Sequence, residues 1–84
     1  MNAEQIQSDT LTILLSNRIH RELDVKSRAI KISKTCKIIR DRTKDEILYS
    51  ACRNIIKWTQ NGKYWQVIDV VYSAEQKYYN EYGA

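Results

Sequence analysis

Proline is absent from this chain of 84 residues, and glycine occurs only twice. Turns and sheet-rich folds draw on both residues, because proline presets the backbone of a turn and glycine adopts positive φ without strain. Their scarcity therefore favours helices joined by short connections. We expect one domain over residues 1–84, since a chain of this length falls at the lower end of domain sizes.

Long apolar runs are missing as well. The longest is three residues, Ile13-Leu14-Leu15, whereas a membrane-spanning helix requires roughly 20. The chain begins without the charged and then apolar segments of a secretory leader. Two cysteines without such a leader are typical of reduced thiols. We therefore expect a cytoplasmic protein.

Metal ligands and catalytic groups are equally few. Cys36, Cys52 and His20 do not complete the four ligands of a structural zinc site unless a carboxylate or a second chain joins them. The turn at residues 61–63 lacks the rest of a phosphate-binding glycine loop, and no nucleophile elbow occurs. We predict a protein without metal, cofactor or enzymatic activity.

Phenylalanine is absent too, whereas tyrosine occurs six times and tryptophan twice. Every aromatic ring therefore carries a polar group, as is typical of interfaces where one end of the side chain stays wet. Low-GC codon usage, as in a phage or mobile element, explains the same bias. Tyr78, Tyr79 and Tyr82 form a second candidate contact surface, which equally fits the core of a dimer.

Positive charge is concentrated in one segment of the sequence. Ten of the 14 basic residues fall between Arg18 and Lys44, where only three acids occur, so this segment carries +7. The other 57 residues hold four bases and seven acids, which gives −3. A charge division of this kind favours an anionic partner.

A first helix is predicted over about residues 3–22, with Asn2 and Gln5 as a weak capping box. At about 100° per residue, one stripe contains Leu11, Leu15, Ile19 and Leu23. Other apolar residues lie well off this stripe: Ile6, Ile13 and Leu14. Because its middle is apolar nearly all round, we expect this helix to contact more than one neighbour.

A second helix is predicted over residues 25–42, with Asp24 as its N-cap. Its narrow apolar stripe contains Val25, Ala29, Ile32, Cys36 and Ile39. An alternation of apolar and polar residues over 30–38 also fits a strand. Helix is favoured, because the helical stripe is longer and no neighbouring segment offers a pairing strand.

The third and fourth helices are predicted over residues 44–60 and 63–82. Thr43 and Glu46 fit a capping box, and Gly62 fits the left-handed position after a helix end. The apolar side of the third helix contains Ile47, Leu48, Ala51, Cys52, Ile55, Ile56 and Trp58. The broad face of the fourth contains Tyr64, Trp65, Ile68, Val71, Tyr72, Tyr78, Tyr79 and Tyr82. We predict an all-α, four-helix bundle-like domain that dimerises through its first and fourth helices.

Ile30 and Ile38 project from the charged side of the second helix. Apolar anchors ringed by charge are typical of a protein-binding surface, although isolated exposed isoleucines are also common. We therefore predict a small regulatory protein that docks on an acidic surface of a protein partner. The predicted contact residues are Ile30, Lys31, Lys34, Lys37 and Ile38.

The alternative prediction is a nucleic-acid-binding regulator, in which the basic segment neutralises phosphates. Its candidate residues are Arg18, Arg21, Arg28, Lys31 and Lys34. Against it, bases spaced by three fan around a helix, and no glycine-containing turn precedes the basic helix. A membrane-surface contact ranks lower, because bulky apolar anchors are missing.

Glu75 falls inside the aromatic face of the fourth helix. A buried carboxylate there would need a partner, for which a tyrosine, His20 or an arginine of the basic segment is available. We expect Glu75 to lie at the open end of the bundle and to reach water instead, because buried unpaired glutamate is rare.

Overall fold

Four α-helices make up most of residues 3–83, the part of the chain that the computed structural model describes. Of these residues 85 % are helical, and none belongs to a strand. The helices are α1 (Ala3–Ile19), α2 (Val25–Arg42), α3 (Glu46–Gln60) and α4 (Tyr64–Tyr82). The predicted all-α class is confirmed, and the strand alternative for residues 30–38 is wrong.

Helix α2 packs against all three other helices. Its predicted stripe is confirmed, because Ala29, Ile32, Cys36 and Ile39 are buried and Val25 packs at their edge. Side chains at steps of three and four share one side of a helix, so this stripe lies against its neighbours along its whole length. The buried core draws on all four helices and contains Ile13, Leu14, Ala29, Ile32, Cys36, Ile39, Leu48, Cys52, Ile55, Ile56, Val67, Ile68 and Val71.

Helix α1 meets α2 largely through polar side chains. Asp9, Ser16 and Asn17 are buried, although each carries a polar group that requires a partner when water is excluded. Three hydrogen bonds from α2 supply these partners: from Arg42 to Asp9, from the Thr35 hydroxyl to Ser16 at 3.2 Å, and from Arg28 to Asn17 at 2.7 Å. The polar side of α1 therefore faces inward.

The predicted apolar stripe of α1 consequently faces outward. Ile19 is 71 % exposed, Leu15 and Leu23 are also exposed, and Leu11 is half-buried. Only Ile13 and Leu14 of α1 join the hydrophobic core. The expectation that α1 contacts more than one neighbour is confirmed, because it packs against both α2 and α4.

Helix α1 ends at Ile19, three residues before the predicted end at residue 22. A tighter turn follows, in which the amide of Leu23 donates to the carbonyl of His20 at 3.0 Å. This turn brings Asp24 to the start of α2, where its carboxylate accepts from the amide of Ser27 at 2.7 Å. The predicted N-cap is confirmed, and α1 and α2 are separate helices.

The predicted capping box of α3 is wrong. The N-cap is Asp45, whose carboxylate accepts from the amide of Leu48 at 2.8 Å. Thr43 instead ends α2, and its hydroxyl accepts from the amide of Asp45 at 3.2 Å. At the other end of α3, Gly62 has φ +75°, as predicted. The capping box proposed for α1 involves Asn2, which lies outside the described residues.

The broad apolar sides predicted for α3 and α4 are only partly buried. Ile47 is 82 % exposed, and Trp65 and Tyr72 are also exposed. These residues lie at the edges of the apolar sides, where α3 and α4 have no further neighbour in the monomer. The predicted stripes were therefore wider than the surface that three neighbouring helices can cover.

Candidate functional site: a basic face and an arginine cleft

The outer side of α2 carries the predicted contact residues. Lys31, Lys34 and Lys37 are exposed, Ile38 is 63 % exposed, and Ile30 is half-buried. At about 100° per residue, the five side chains fall within roughly a third of the helix circumference. None belongs to the core. We call this surface, residues Ile30, Lys31, Lys34, Lys37 and Ile38, the docking face.

Arg28 and Arg40, the first and last of the bases spaced by three along α2, point away from the docking face toward neighbouring helices. Arg28 donates to Asn17 of α1, whereas Arg40 lies beside α3. There it meets Arg53 and Lys57, so the positive surface of α2 continues onto α3. Sequence reasoning missed these two residues because they lie outside the basic segment. Their spacing of four residues, which places them on one side of α3, was the available signal.

Three arginines predicted for the nucleic-acid alternative meet in one cleft. Arg18, Arg21 and Arg28 line a cavity of about 380 Å³. Its remaining lining residues are Asn17, Tyr72 and Glu75. We call it the arginine cleft. Lys31 and Lys34, the other two candidates, lie on the docking face and not in this cleft.

Glu75 joins α4 to α1 inside the arginine cleft. Its carboxylate accepts from the Arg18 guanidinium at 3.1 Å and from the side-chain Nδ2 of Asn17 at 3.5 Å. The side-chain Oδ1 of Asn17 in turn accepts from Arg28, so one network links α1, α2 and α4. The expectation that Glu75 lies at the open end of the bundle and reaches water is wrong in part, because its side chain is paired and only 16 % exposed. The arginine partner considered from the sequence is the one that it has.

The three tyrosines of the second candidate surface form an aromatic cluster at the end of α4. The ring centroid of Tyr78 lies 5.6 Å from that of Tyr79 and 4.9 Å from that of Tyr82. Tyr78 packs against the core, and the Arg18 guanidinium lies 5.1 Å from the Tyr79 ring centroid. Tyr82 is exposed, and the Glu81 carboxylate raises the pKa of its hydroxyl. The cluster is therefore part core and part surface.

Both cysteines are buried and close to each other between α2 and α3. A hydrogen bond with the Cys52 thiol and burial both raise the pKa of Cys36. They occupy predicted core positions, where a thiol behaves as a small apolar group. Among residues 3–83, no three histidine, cysteine or acidic side chains converge in a way that would hold a metal ion.

None of the described helices combines the length and the apolar character required to cross a membrane. No protein-family model, curated protein or solved structure matches this chain.

Proposed function

We propose that the protein acts by contact, as a homodimeric helical regulator that binds an acidic surface of a protein partner. The docking face of α2 would make the contact with this partner. The apolar stripe of α1, together with α4, would join two copies. Binding would alter the activity of the partner, and no chemistry on the protein itself is required.

The observation that carries the partner contact is the exposed Ile38 among exposed lysines. A protein interface commonly combines an apolar centre with a polar or charged rim, and its centre contributes most of the binding energy. Phosphates of a nucleic-acid backbone offer no apolar complement to an isoleucine. Charge and apolar exposure together thus favour an acidic protein surface.

The outward-facing apolar stripe of α1 supports self-association. Asp9, Ser16 and Asn17 are buried, whereas Leu15 and Ile19 face solvent beside the exposed, uncharged Ser8 and Thr12. The Thr12 hydroxyl already donates to the Ser8 carbonyl at 2.9 Å, so its contact with an apolar partner does not leave this donor unpaired. An uncharged apolar side of a helix is stabilised by covering it with another helix.

Charge at the two ends of this side favours an antiparallel pair. Glu4 lies near the start of α1, and Arg18 and Arg21 lie near its end. Two antiparallel copies bring unlike charges together, whereas parallel copies bring like charges together. A second copy related by a two-fold axis therefore complements this surface.

Helix α4 has to contribute to such an interface. A stable interface buries about 800 Å² on each partner, more than one side of a helix of 17 residues provides. Tyr72 lines the arginine cleft beside α1, and Trp65 lies two turns away on the same side of α4. Both rings are exposed and are the surface that α4 would add to the interface.

A peptide titration tests the partner contact. The probe is a fluorescent acidic peptide that contains leucines, compared with polyglutamate of equal charge, and the contact is mapped by NMR on isotope-labelled protein. We expect Ile38→Ser to lower the affinity for the leucine-containing peptide about tenfold, because one buried apolar contact is lost. Its affinity for polyglutamate should not change. Ile47→Ser is the matched control, because Ile47 is exposed on α3 outside the docking face. Equal losses in both variants, or no loss in Ile38→Ser, would exclude the docking face.

Nucleic-acid binding is the second candidate function, and the arginine cleft favours it. Arg21 and Arg28 lie beside the exposed ring of Tyr72, so phosphates and an unpaired base find adjacent partners. Labelled single-stranded and duplex DNA in the same titration test this function. Micromolar binding with a steep salt dependence, lost in Arg28→Gln and unchanged in Ile38→Ser, would favour nucleic-acid binding over the protein-partner function.

A further inference from the structure

A polar groove runs between α2 and α3, outside the residues of the docking face. It has a volume of about 590 Å³ and is lined by Arg40, Ser50, Arg53, Asn54, Ile56, Lys57 and Gln60. Ile56 belongs to the core and lies at its base, whereas the other six side chains all carry hydrogen-bond donors. We call this site the α2–α3 groove.

The charge of the α2–α3 groove is largely uncompensated. Arg40 pairs with Asp41 at 3.1 Å. Within residues 3–83 neither Arg53 nor Lys57 forms an ion pair, and no carboxylate lines the groove. Three cations and one adjacent carboxylate leave a net charge of +2. The Arg53 guanidinium lies 5.9 Å from the ring centroid of Tyr49, which limits its freedom before a ligand binds.

We infer that the α2–α3 groove binds a phosphorylated side chain of the protein partner. This inference rests on the proposed function, because Lys37 of the docking face lies one turn from Arg40. A segment of the partner that contacts Lys37 can therefore continue around α2 to Arg40 and the groove. The phosphate would lie between Arg40 on α2 and the Arg53 and Lys57 pair on α3.

A phosphate monoester matches the groove better than a carboxylate does. A phosphorylated serine carries about −1.5 to −2 charges and three acceptor oxygens, whereas a carboxylate carries one charge and two oxygens. Two guanidinium groups can each bind a phosphate through two parallel hydrogen bonds. Ser50, Asn54 and Gln60 supply further donors around the same space.

The monoester also matches better than a nucleic-acid backbone. Each phosphodiester carries a single charge, and a strand requires cations spread along its path. The three cations here lie around one cavity instead, on opposite sides of it. A compact donor set with a net charge of +2 favours one dianionic group.

Three peptides that differ at one position test the inference. The leucine-containing acidic peptide carries phosphoserine, glutamate or serine, and titration calorimetry measures each affinity. We expect the phosphoserine peptide to bind about tenfold more tightly than the glutamate peptide, because a dianion makes more charge-assisted hydrogen bonds. Arg53→Gln and Lys57→Gln should each remove most of this advantage. Lys77→Gln, an exposed lysine of α4, is the matched control.

The outcomes separate the inference from the function on which it rests. Equal affinity of the phosphoserine and glutamate peptides, with both weakened in Ile38→Ser, leaves the docking proposal standing and overturns the phosphate site. An unchanged phosphoserine advantage in Arg53→Gln also overturns it. Failure of all three peptides to bind overturns both. Tighter binding of single-stranded DNA that is lost in Arg53→Gln assigns the groove to nucleic acid.

Discussion

The carboxylate of Asp9 orients a whole helix. It is fully buried, and its Oδ1 atom accepts hydrogen bonds from Arg42 and from Gln5. Its Oδ2 atom is buried without a hydrogen-bond partner among the described residues. A buried carboxylate loses its hydration, so its partners have to replace the lost interaction. Asp9 therefore holds the polar side of α1 against the end of α2.

Removal of Arg42 should show how much its hydrogen bond to the buried Asp9 carboxylate stabilises the fold. We predict that Arg42→Ala lowers the free energy of unfolding by about 2–3 kcal/mol, because it leaves a buried carboxylate with too few donors. The value lies below that of a fully buried pair, since half of the Arg42 side chain is exposed. Denaturant unfolding followed by circular dichroism measures this change.

Arg21→Ala is the control, because Arg21 and Glu22 form an ion pair at 3.6 Å in which both side chains are exposed. Its effect should stay below about 0.5 kcal/mol. Equal stability of the Arg42 and Arg21 variants would contradict the structural role assigned to Asp9.

Helices α2 and α3 begin at acidic caps, and glycines with positive φ follow the ends of α3 and α4. Asp24 and Asp45 accept from the amides three residues later, so each satisfies a donor that the first turn leaves free. Gly62 adopts the positive φ that the turn after α3 requires. Each device acts within a few residues, which is why the sequence indicated most of the helix boundaries. The exceptions are the end of α1, where no proline or glycine stands, and the start of α3, where Asp45 and not Thr43 is the N-cap.

The cap of α2 should make its stability depend on pH. Hydrogen bonds from Ser27 lower the pKa of Asp24. Stabilisation by a carboxylate with a lowered pKa is complete above its unfolded value, roughly 3.9, and is lost as pH falls through the folded value. Asp24→Asn retains an oxygen that accepts from Ser27 but does not titrate.

We predict that the wild-type protein unfolds at a higher temperature than Asp24→Asn at neutral pH. The difference should vanish in acid, because both caps are then uncharged. Thermal unfolding from about pH 7 to about pH 2 measures both midpoints. A difference that stays constant over this range would show that the charge of Asp24 does not stabilise the cap.

The surface of the whole molecule divides into regions of different chemistry. The docking face and the α2–α3 groove are positive, whereas the outer side of α1 is apolar over Leu11, Leu15 and Ile19. A chain of 84 residues buries a modest share of its surface on folding, so the proposed second copy on the apolar side would add stability that the monomer lacks. Two copies would also present two docking faces, which raises the avidity for a partner with repeated sites.

Self-association should depend on the apolar stripe of α1. We predict that the wild-type chain sediments as a dimer at about 100 µM and that its unfolding midpoint rises with protein concentration. Ile19→Lys should sediment as a folded monomer, because the apolar interface would have to bury a lysine charge from each copy. Ile47→Lys is the control, since Ile47 is even more exposed but lies on α3. Monomeric wild-type protein at this concentration would overturn the proposed dimer.

The sequence by itself determined the fold class, the number of helices and the buried stripe of α2. These features depend on local physics: a repeat of three and four residues, acidic caps and a glycine act within one or two turns. It also placed Ile38 on a charged side of a helix, because the stripe of α2 is narrow and leaves one orientation.

Only the tertiary structure decided which side of α1 is buried. Apolar residues surround the middle of α1, so periodicity does not favour one orientation, and the partners of Asp9, Ser16 and Asn17 stand 33, 19 and 11 residues away. The same reason applies to the arginine cleft and the α2–α3 groove. Their charges come from separate helices, and helix packing alone brings them together.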